Sequence, residues 1–518
     1  MRHAPIPPRT ASVSPPRHGV VVVGGGIAGL AAATGLAERG VPVTLVEREA
    51  TLGGRVRSWP VTLPDGHGAT MSRGFHAFFR QYYNLRALLR RGDPGLERLV
   101  AVPDYPLRLA GGPTDSFARI PRTPPLSIAA FVARSPSFPL SALRSVDVGA
   151  ALGLLDVRFP ETYAAYDGMS AAEVLDRLRF PEQARHLALE VFARSFFADP
   201  RDFSGGELIA MFHTYFTGSA EGLLFDVPDV SYDEALWGPL ARHLRGLGVA
   251  ILLGRPAVAL EERRNGIAVA LAGDRDSRAP VTVEADAVVL ATDRAALQRL
   301  VGDAAWLGTD DWRARVAAQR SAPPFAVWRL WLDREPRPGT EAFLGTSGFG
   351  PLDNVSFVDR MDRGAAEWAA GTGGSVVELH AYAVPAGTDA ELLRAELMRQ
   401  LVRIHPELDG ARTLFEQWLV HDDCPLAGTD PWASRPGVPT PDERVVLAGD
   451  GIRCDYPVAL MERAATTGWL AANVLLAGYG IAGHDIWTVP VRGRHERAAR
   501  ALRRGLAHLP RRRSSQTS

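Results

Sequence analysis

Residues 20 to 47 read VVVVGGGIAGLAAATGLAERGVPVTLVE. Four β-branched residues, Val20 to Val23, run straight into Gly24, Gly26 and Gly29, a G-x-G-x-x-G pattern. An Ala/Leu-rich stretch to about Glu38 has the makings of a helix, and a second apolar strand, Val41 to Glu47, comes directly after it. That order predicts a strand–turn–helix–strand unit built to cradle a dinucleotide. Gly24 permits the tight turn, Gly26 lets the backbone approach a pyrophosphate, and Gly29 lets helix and strand pack closely. Ala28 lies in the first helical turn, whose free N–H groups and partial positive charge favour phosphate. Glu47 stands 18 residues after Gly29. It is placed to bond a ribose hydroxyl, and its charge disfavours the 2′-phosphate of NADP. The uncharged run Val20 to Ala37 also mimics a membrane span, and its short basic leader mimics a signal peptide. The early glycines and the second strand favour the nucleotide unit instead.

The chain has 518 residues, 46% hydrophobic and 22% charged, as in ordinary globular proteins. At about 150 residues per domain this length suggests roughly three domains. Fifty-eight cations, all arginine, balance 58 acids. A global nucleic-acid footprint is therefore excluded. The two cysteines, Cys424 and Cys454, make neither a disulfide framework nor a thiolate zinc site, and suit a reducing cytoplasm. No metal-ligand spacing and no Ser/His/Asp arrangement stands out.

The residues after Glu47 separate FAD from NAD. Arg48 leads into Thr51-Leu52-Gly53-Gly54-Arg55-Val56, which resembles the signature of the flavin amine oxidase and carotenoid desaturase superfamily. The resemblance implies non-covalent FAD, with the Gly53-Gly54-Arg55 loop along its pyrophosphate. Near the C-terminus, Val445 to Asp450 (VVLAGD) reads as a buried strand ending in Gly449-Asp450, with a helix after it from about Val458 to Leu476. In that superfamily Asp450 binds the ribityl or pyrophosphate part, and the backbone around Met461 and Glu462 faces the flavin ring. The family usually has Met-Glu-Gly-Ala there; this chain has Met461-Glu462-Arg463-Ala464. Ala287 to Thr292 reads as another buried strand of the nucleotide fold. The segment Arg255 to Leu260 is expected to supply a backbone contact to adenine, at Ala257 or Val258.

The stretch Gly74-Phe75-His76-Ala77-Phe78-Phe79-Arg80-Gln81-Tyr82-Tyr83-Asn84 resembles a segment of plant-type phytoene and ζ-carotene desaturases. By that resemblance Gly74, Phe75 and His76 lie beside the flavin. The spacing of Phe78, Tyr82 and Leu85 also suits a buried helix. With RSFFADP from Arg194, MFHTYFTGSAEGLLFD from Met211 and LAGDGIRCDYPVALMERAATTGWLAAN from Leu447, the chain resembles the carotene φ-ring synthases (isorenieratene synthases, β-carotene desaturase/methyltransferases). The resemblance runs from about Val20 to Arg492. It implies an oxidoreductase that turns β-ionone rings into aromatic φ-rings, with a carotenoid substrate and an electron acceptor that the sequence does not identify.

Aromatisation requires one methyl of the quaternary ring carbon to migrate, two two-electron oxidations per ring, a stabilised cation and a base. Phe75, Phe78, Phe79, Tyr82, Tyr83, Phe212 and Tyr215 are candidates to face the cation. His76 and Asp455 are the candidate bases; Asp455 is equally placed to pair with Arg453. Rival readings are a desaturase or isomerase of a linear carotene, a flavin amine oxidase, and a flavin-free lipid carrier like the prenyl-GTPase dissociation inhibitors.

The expected architecture is α/β: a discontinuous Rossmann-type FAD-binding domain (19–110, 226–300 and 421–490) with an inserted α+β substrate domain (111–225 and 301–420). Residues 1–18 read as a disordered leader. Residues 491–518 read as a basic tail, either solvated or drawn to an anionic membrane surface, since nine arginines face one acid between Arg492 and Ser518. Ala326 to Leu332 and Val376 to Tyr382 read as strands, and Ala171 to Phe197 as helix broken at Pro181. Pro125 to Leu143 suits either a membrane-contacting lip or a buried segment. A carotenoid resides in lipid, so the expected location is cytoplasmic and peripheral on the inner membrane face.

Overall fold

Five short strands rich in valine and leucine lie side by side in the order Ala250–Leu252, Val43–Val46, Val20–Val23, Ala287–Leu290, Val445–Leu447, all parallel. The near-continuous apolar character of the inner strands follows from burial on both faces, whereas Ala250–Leu252 at the edge is partly exposed. Helices Ile27–Ala37 and Leu460–Gly478 pack against each other. Gly468 leaves only 2.2 Å between where its Cβ would stand and the Ala28 carbonyl, so the two backbones nearly touch. An antiparallel sheet, Ala257–Arg263, Gly266–Leu271 and Val281–Ala285, packs against the strands at Val20–Val23 and Ala287–Leu290. This computed structural model describes residues 2–3, 18–118, 120–124, 126–138, 146–180, 184, 196–273 and 281–507.

A second, seven-stranded sheet runs Thr413–His421, Phe325–Leu332, Ser375–Ala381, Asn354–Phe357, Phe343–Ser347, Leu107–Leu109, Thr114–Asp115. All neighbours are antiparallel except Phe343–Ser347 with Leu107–Leu109. Leu393, Leu397, Leu401 and Ile404 of helix Ala390–Ile404 share an apolar core with Ala326, Trp328, Leu330, Val377 and Leu379. The alternate residues Val327, His380 and Tyr382 belong to the wall of a large cavity. Strand alternation thus divides structural from functional side chains.

Several expectations are refined. The aromatic stretch is not one helix: Phe78–Phe79 pair with Phe225–Asp226 as strand, and the helix is Tyr83–Leu89. Asp226 holds that turn by accepting from Arg80 and Arg86. The strand readings at Ala326 and Val376 correspond to Phe325–Leu332 and Ser375–Ala381. Helix Ala171–Leu178 begins with a Ser170/Glu173 capping box, and the expected break at Pro181 lies outside the described residues. Within 125–143, Leu126–Arg134 is helical, while 125 and 139–143 also lie outside them. Of the leader, Arg2–His3 pair with Ile486–Trp487, and 4–17 lie outside. The basic tail is helical over Glu496–Ala507, with Arg500 and Arg503 paired to Asp156, so part of it is docked rather than solvated. Residues 508–518 lie outside the described residues.

Candidate active site

The carboxyl ends of the parallel strands open into a continuous cavity of about 430 Å³, where an open α/β sheet binds its ligands. At one end stand Val23, Gly24, Gly26, Ile27 and Ala28, then Glu47, Arg48, Gly53, Gly54 and Arg55, with Gly449, Asp450 and Met461 nearby in the wall. Gly24 has φ +109°, and a Cβ there would stand 2.3 Å from the Ala291 carbonyl. Gly29 is not in the wall. Its missing side chain closes the turn, since a Cβ would meet the Gly24 carbonyl. Helix Ile27–Ala37 has neither a side-chain cap nor an acid in its first turn. Its leading N–H groups thus remain open to a phosphate.

Glu47 is buried beside that turn, and its carboxylate accepts from Gly25 N at 2.6 Å and Glu49 N at 2.9 Å. It braces the glycine loop and stands in the cavity wall. Burial pushes its carboxyl upward, against those two N–H bonds. Arg48 reaches Asp293 at 2.7 Å. Arg55 and Asp450 pair at 2.5 Å across the cavity. Arg255, Pro256 and Ala257 line it, whereas Val258 is 41% exposed and absent from the wall. Of the two positions expected to offer adenine a backbone contact, Ala257 is in the wall, and alternation along Ala257–Arg263 turns the Val258 side chain outward. An uncapped helix start, a glycine cradle, an arginine and a buried acid in one cavity fit the parts of FAD.

Beyond the cradle the same cavity is walled by Phe75, Phe79, Tyr82, Tyr105, Phe225, Phe325 and Phe343. Phe75 lies 4.6 Å from Phe343 and 5.9 Å from Phe225, centroid to centroid. Of the other expected aromatics, Phe78 is fully buried, Tyr83 donates to Glu221, and Phe212 and Tyr215 are not in the wall. His76 is in the wall. Its Nδ1 lies 2.8 Å from the Gly74 carbonyl. A carbonyl only accepts, so Nδ1 carries the proton and Nε2 keeps its lone pair. Burial lowers this imidazole to about 4.

Asp455 is not at the site. The turn after Gly449 buries Ile452 and Cys454, which leaves Asp455 outward with its side chain 59% exposed, 3.9 Å from Arg453. Gly74 lies just behind the wall, with φ +108° and His380 against its α-carbon. Arg463 turns away from the cavity. It donates to Glu207 at 3.0 and 2.5 Å, which explains how an arginine is accommodated where the resemblance implies glycine.

Two clusters escaped the sequence reading. Arg73, buried, donates to both oxygens of Asp423 at 2.7 and 2.5 Å. Burial raises the Asp423 carboxyl, but Arg73 outweighs it and holds it down to about 2. The second is Glu378, His380 and Tyr382, at alternate positions beside Asn354. Their signal was present: three polar residues interleaved with Val377, Leu379 and Ala381 in a strand otherwise fit for a core.

Residues 27–476 match the family described as flavin containing amine oxidoreductase. The chain is 56% identical over 475 residues to a carotenoid phi-ring synthase of Streptomyces griseus, covering 92% of this chain and 91% of that protein. It is 26% identical over 588 residues to a carotenoid phi-ring synthase of Chlorobaculum tepidum, covering 91% and 90%. A putrescine oxidase solved with putrescine superposes with a TM-score of 0.63 at 16% identity, covering 89% of this chain and 99% of that one. That likeness shows the fold, a Rossmann-type FAD sheet with an α+β second layer. With the match running from the helix that follows the glycine turn into the helix at Leu460, this chain belongs to the flavin-containing amine oxidoreductase family and is an FAD-dependent oxidoreductase.

Proposed function

We propose that the enzyme converts the β-ionone end rings of β-carotene into aromatic φ-rings by desaturation with a 1,2-methyl shift. The observation that carries this reading is the continuity of the FAD cradle with an aromatic wall. The phi-ring synthase relative, similar over nearly its whole length, supports it. FAD, when bound, supplies a two-electron hydride acceptor. Gly24, Gly26, Ala28, Glu47, Arg48, Gly53, Gly54, Arg55, Gly449, Asp450 and Met461 would hold it.

The protein's task is to place a flat apolar ring, protect a cation and remove protons. Loss of hydride leaves a ring cation, and the faces of Phe75, Phe79, Phe225 and Phe343 offer it their negative quadrupoles. A methyl then moves with its bonding pair to the neighbouring carbon, so no external methyl donor enters. Each ring undergoes two oxidations and so sheds two protons. The proton on a carbon next to a cation is strongly acidic, and a neutral imidazole suffices to take it. His76, kept neutral by burial with Nε2 unprotonated, is suited to one of them.

Among the described residues no helix is long and apolar enough to cross a membrane. Access to a lipid-dissolved carotenoid calls for peripheral contact. Exposed Leu126, Val148 and Leu502 on three surface helices support it, the last helix being rich in arginine.

The test is anaerobic mixing of the purified yellow protein with β-carotene in detergent micelles. Bleaching of the flavin band by β-carotene, with lycopene and phytoene inert, is the expected result. Bleaching by a linear carotene alone would overturn the reading.

A further inference from the structure

Glu378, His380 and Tyr382 form a hydrogen-bonded line that ends at the cavity. His380 Nε2 lies 2.7 Å from Glu378 Oε1, and His380 Nδ1 lies 2.6 Å from the Tyr382 hydroxyl. A carboxylate only accepts, so Nε2 carries the imidazole proton and Nδ1 accepts from the phenol. The Tyr382 oxygen in turn accepts from Asn354 Nδ2 at 3.0 Å, and Asp353 fixes the backbone by accepting from Tyr382 N at 2.6 Å. At the inner end Glu378 accepts from Arg329 at 2.8 and 2.5 Å. Arg329 is itself held by the Thr70 carbonyl and Ser72 Oγ. Burial raises the Glu378 carboxyl, yet Arg329 and His380 outweigh it and bring it to about 2. It therefore stays charged. His380, Tyr382 and Asn354 all belong to the wall, together with Phe325, Val327 and Phe197.

This is the logic of an acid–base triad: an acceptor oriented by a base, and the base oriented by a buried carboxylate. We propose that Tyr382 is a catalytic residue that takes a ring proton through a relay to His380 and Glu378. The proposal rests on the ring-aromatisation reading, whose second proton per ring needs an acceptor besides His76. In the step, the C–H bond breaks and its electron pair becomes the ring double bond. The proton goes to the Tyr382 oxygen as the phenolic proton passes to His380 Nδ1. The imidazolium so formed rests against the Glu378 carboxylate, and FAD, when bound, would supply the acceptor for the hydride removed beforehand. His380 and Glu378 are positioning residues for this transfer. Burial pushes the Tyr382 phenol upward, so no phenolate waits in the resting enzyme and the two proton movements are coupled.

The experiment uses the FAD-loaded full chain and β-carotene in micelles, with a soluble quinone added to reoxidise the flavin between the two two-electron oxidations of each ring, and follows aryl carotenoid formation in H2O and D2O. Wild type is expected to form aryl carotenoid more slowly in D2O, because an exchangeable phenolic proton moves in the rate-determining transfer. Tyr382→Phe keeps the ring and loses the hydroxyl. It is expected to keep FAD content and melting temperature while losing about 100-fold or more in rate, and to lose the solvent isotope effect. His380→Gln is expected to reproduce both losses. Aryl product from Tyr382→Phe at the wild-type rate overturns the relay, as does equal wild-type speed in H2O and D2O. Wild type that makes no aryl carotenoid at all overturns the aromatisation reading, and the relay with it.

Discussion

The guanidinium of Arg463 and the carboxylate of Glu207 meet in a fully buried pair, at 3.0 and 2.5 Å, with Arg435 2.7 Å from the same carboxylate. Glu207 sits in the first turn of helix Gly205–Phe212 and Arg463 in the first turn of helix Leu460–Gly478. The pair therefore ties the helix that closes the FAD cradle to the aromatic-rich segment beyond Gly205. Removing Arg463 leaves the buried Glu207 carboxylate with Arg435 as its remaining cation. Arg463→Gly is expected to cost about 1.5–3 kcal/mol for the lost charge-assisted bonds, read as a fall in melting temperature. Joint replacement by Arg463→Met, Glu207→Leu and Arg435→Met is expected to recover much of it. An Arg463→Gly protein as stable as wild type would show that the pair does not hold the two helices together.

Glu462 next door behaves in the opposite sense. It accepts from Asn84 N, Asn84 Nδ2 and Leu85 N, but burial dominates and raises its carboxyl to about 8. The folded protein thus holds a proton there that the unfolded chain releases near its ordinary value of 4.5. A group raised on folding contributes stability below its unfolded value and loses it as pH climbs to its folded value. Unfolding free energy should fall between about pH 4.5 and 8 through this group. Glu462→Gln should flatten that slope in denaturant titrations. A slope unchanged by the substitution would assign the dependence elsewhere.

Arg55 and Asp450 close the cradle from opposite sides. Arg55→Ala removes a charge-assisted contact to the pyrophosphate position and strands Asp450. FAD binding to the stripped protein should weaken about 10- to 100-fold, and the variant should purify pale. Full retention of yellow colour after dialysis would place the pyrophosphate elsewhere.

Gly74 adjoins the relay. Its φ of +108° disfavours any side chain, and a Cβ would stand 2.7 Å from His380 Cε1. Gly74→Ala should cost about 1–3 kcal/mol in backbone strain and displace His380 from Tyr382. Ring-forming activity should therefore drop far more than FAD content. A parallel loss of both would mean that the cradle, rather than the relay, had moved.

The cradle was legible because its residues fall in short blocks after apolar runs: Gly24 follows strand Val20–Val23, Glu47 follows strand Val43–Val46 with Gly53 to Arg55 a few residues on, and Asp450 comes shortly after strand Val445–Leu447. Asp455 was misplaced because the direction of a turn after Gly449 depends on which side chains it buries, here Ile452 and Cys454. Ala257 and Val258 stayed undistinguished because a single step of strand alternation separates the wall from solvent. Arg463 read as an intrusion only because its partner, Glu207, lies more than two hundred residues away. The Glu378–His380–Tyr382 line carried a period-2 signal, but its chemistry depends on Arg329 from the neighbouring strand, a pairing set by sheet register.

The most direct measurement is pigment analysis from a host that accumulates β-carotene and expresses this chain. Chromatography with mass spectrometry should show products four and eight hydrogens lighter than β-carotene, with aryl-ring absorption and every carbon retained. Unchanged β-carotene alongside folded, yellow protein would contradict ring aromatisation as the function of this enzyme.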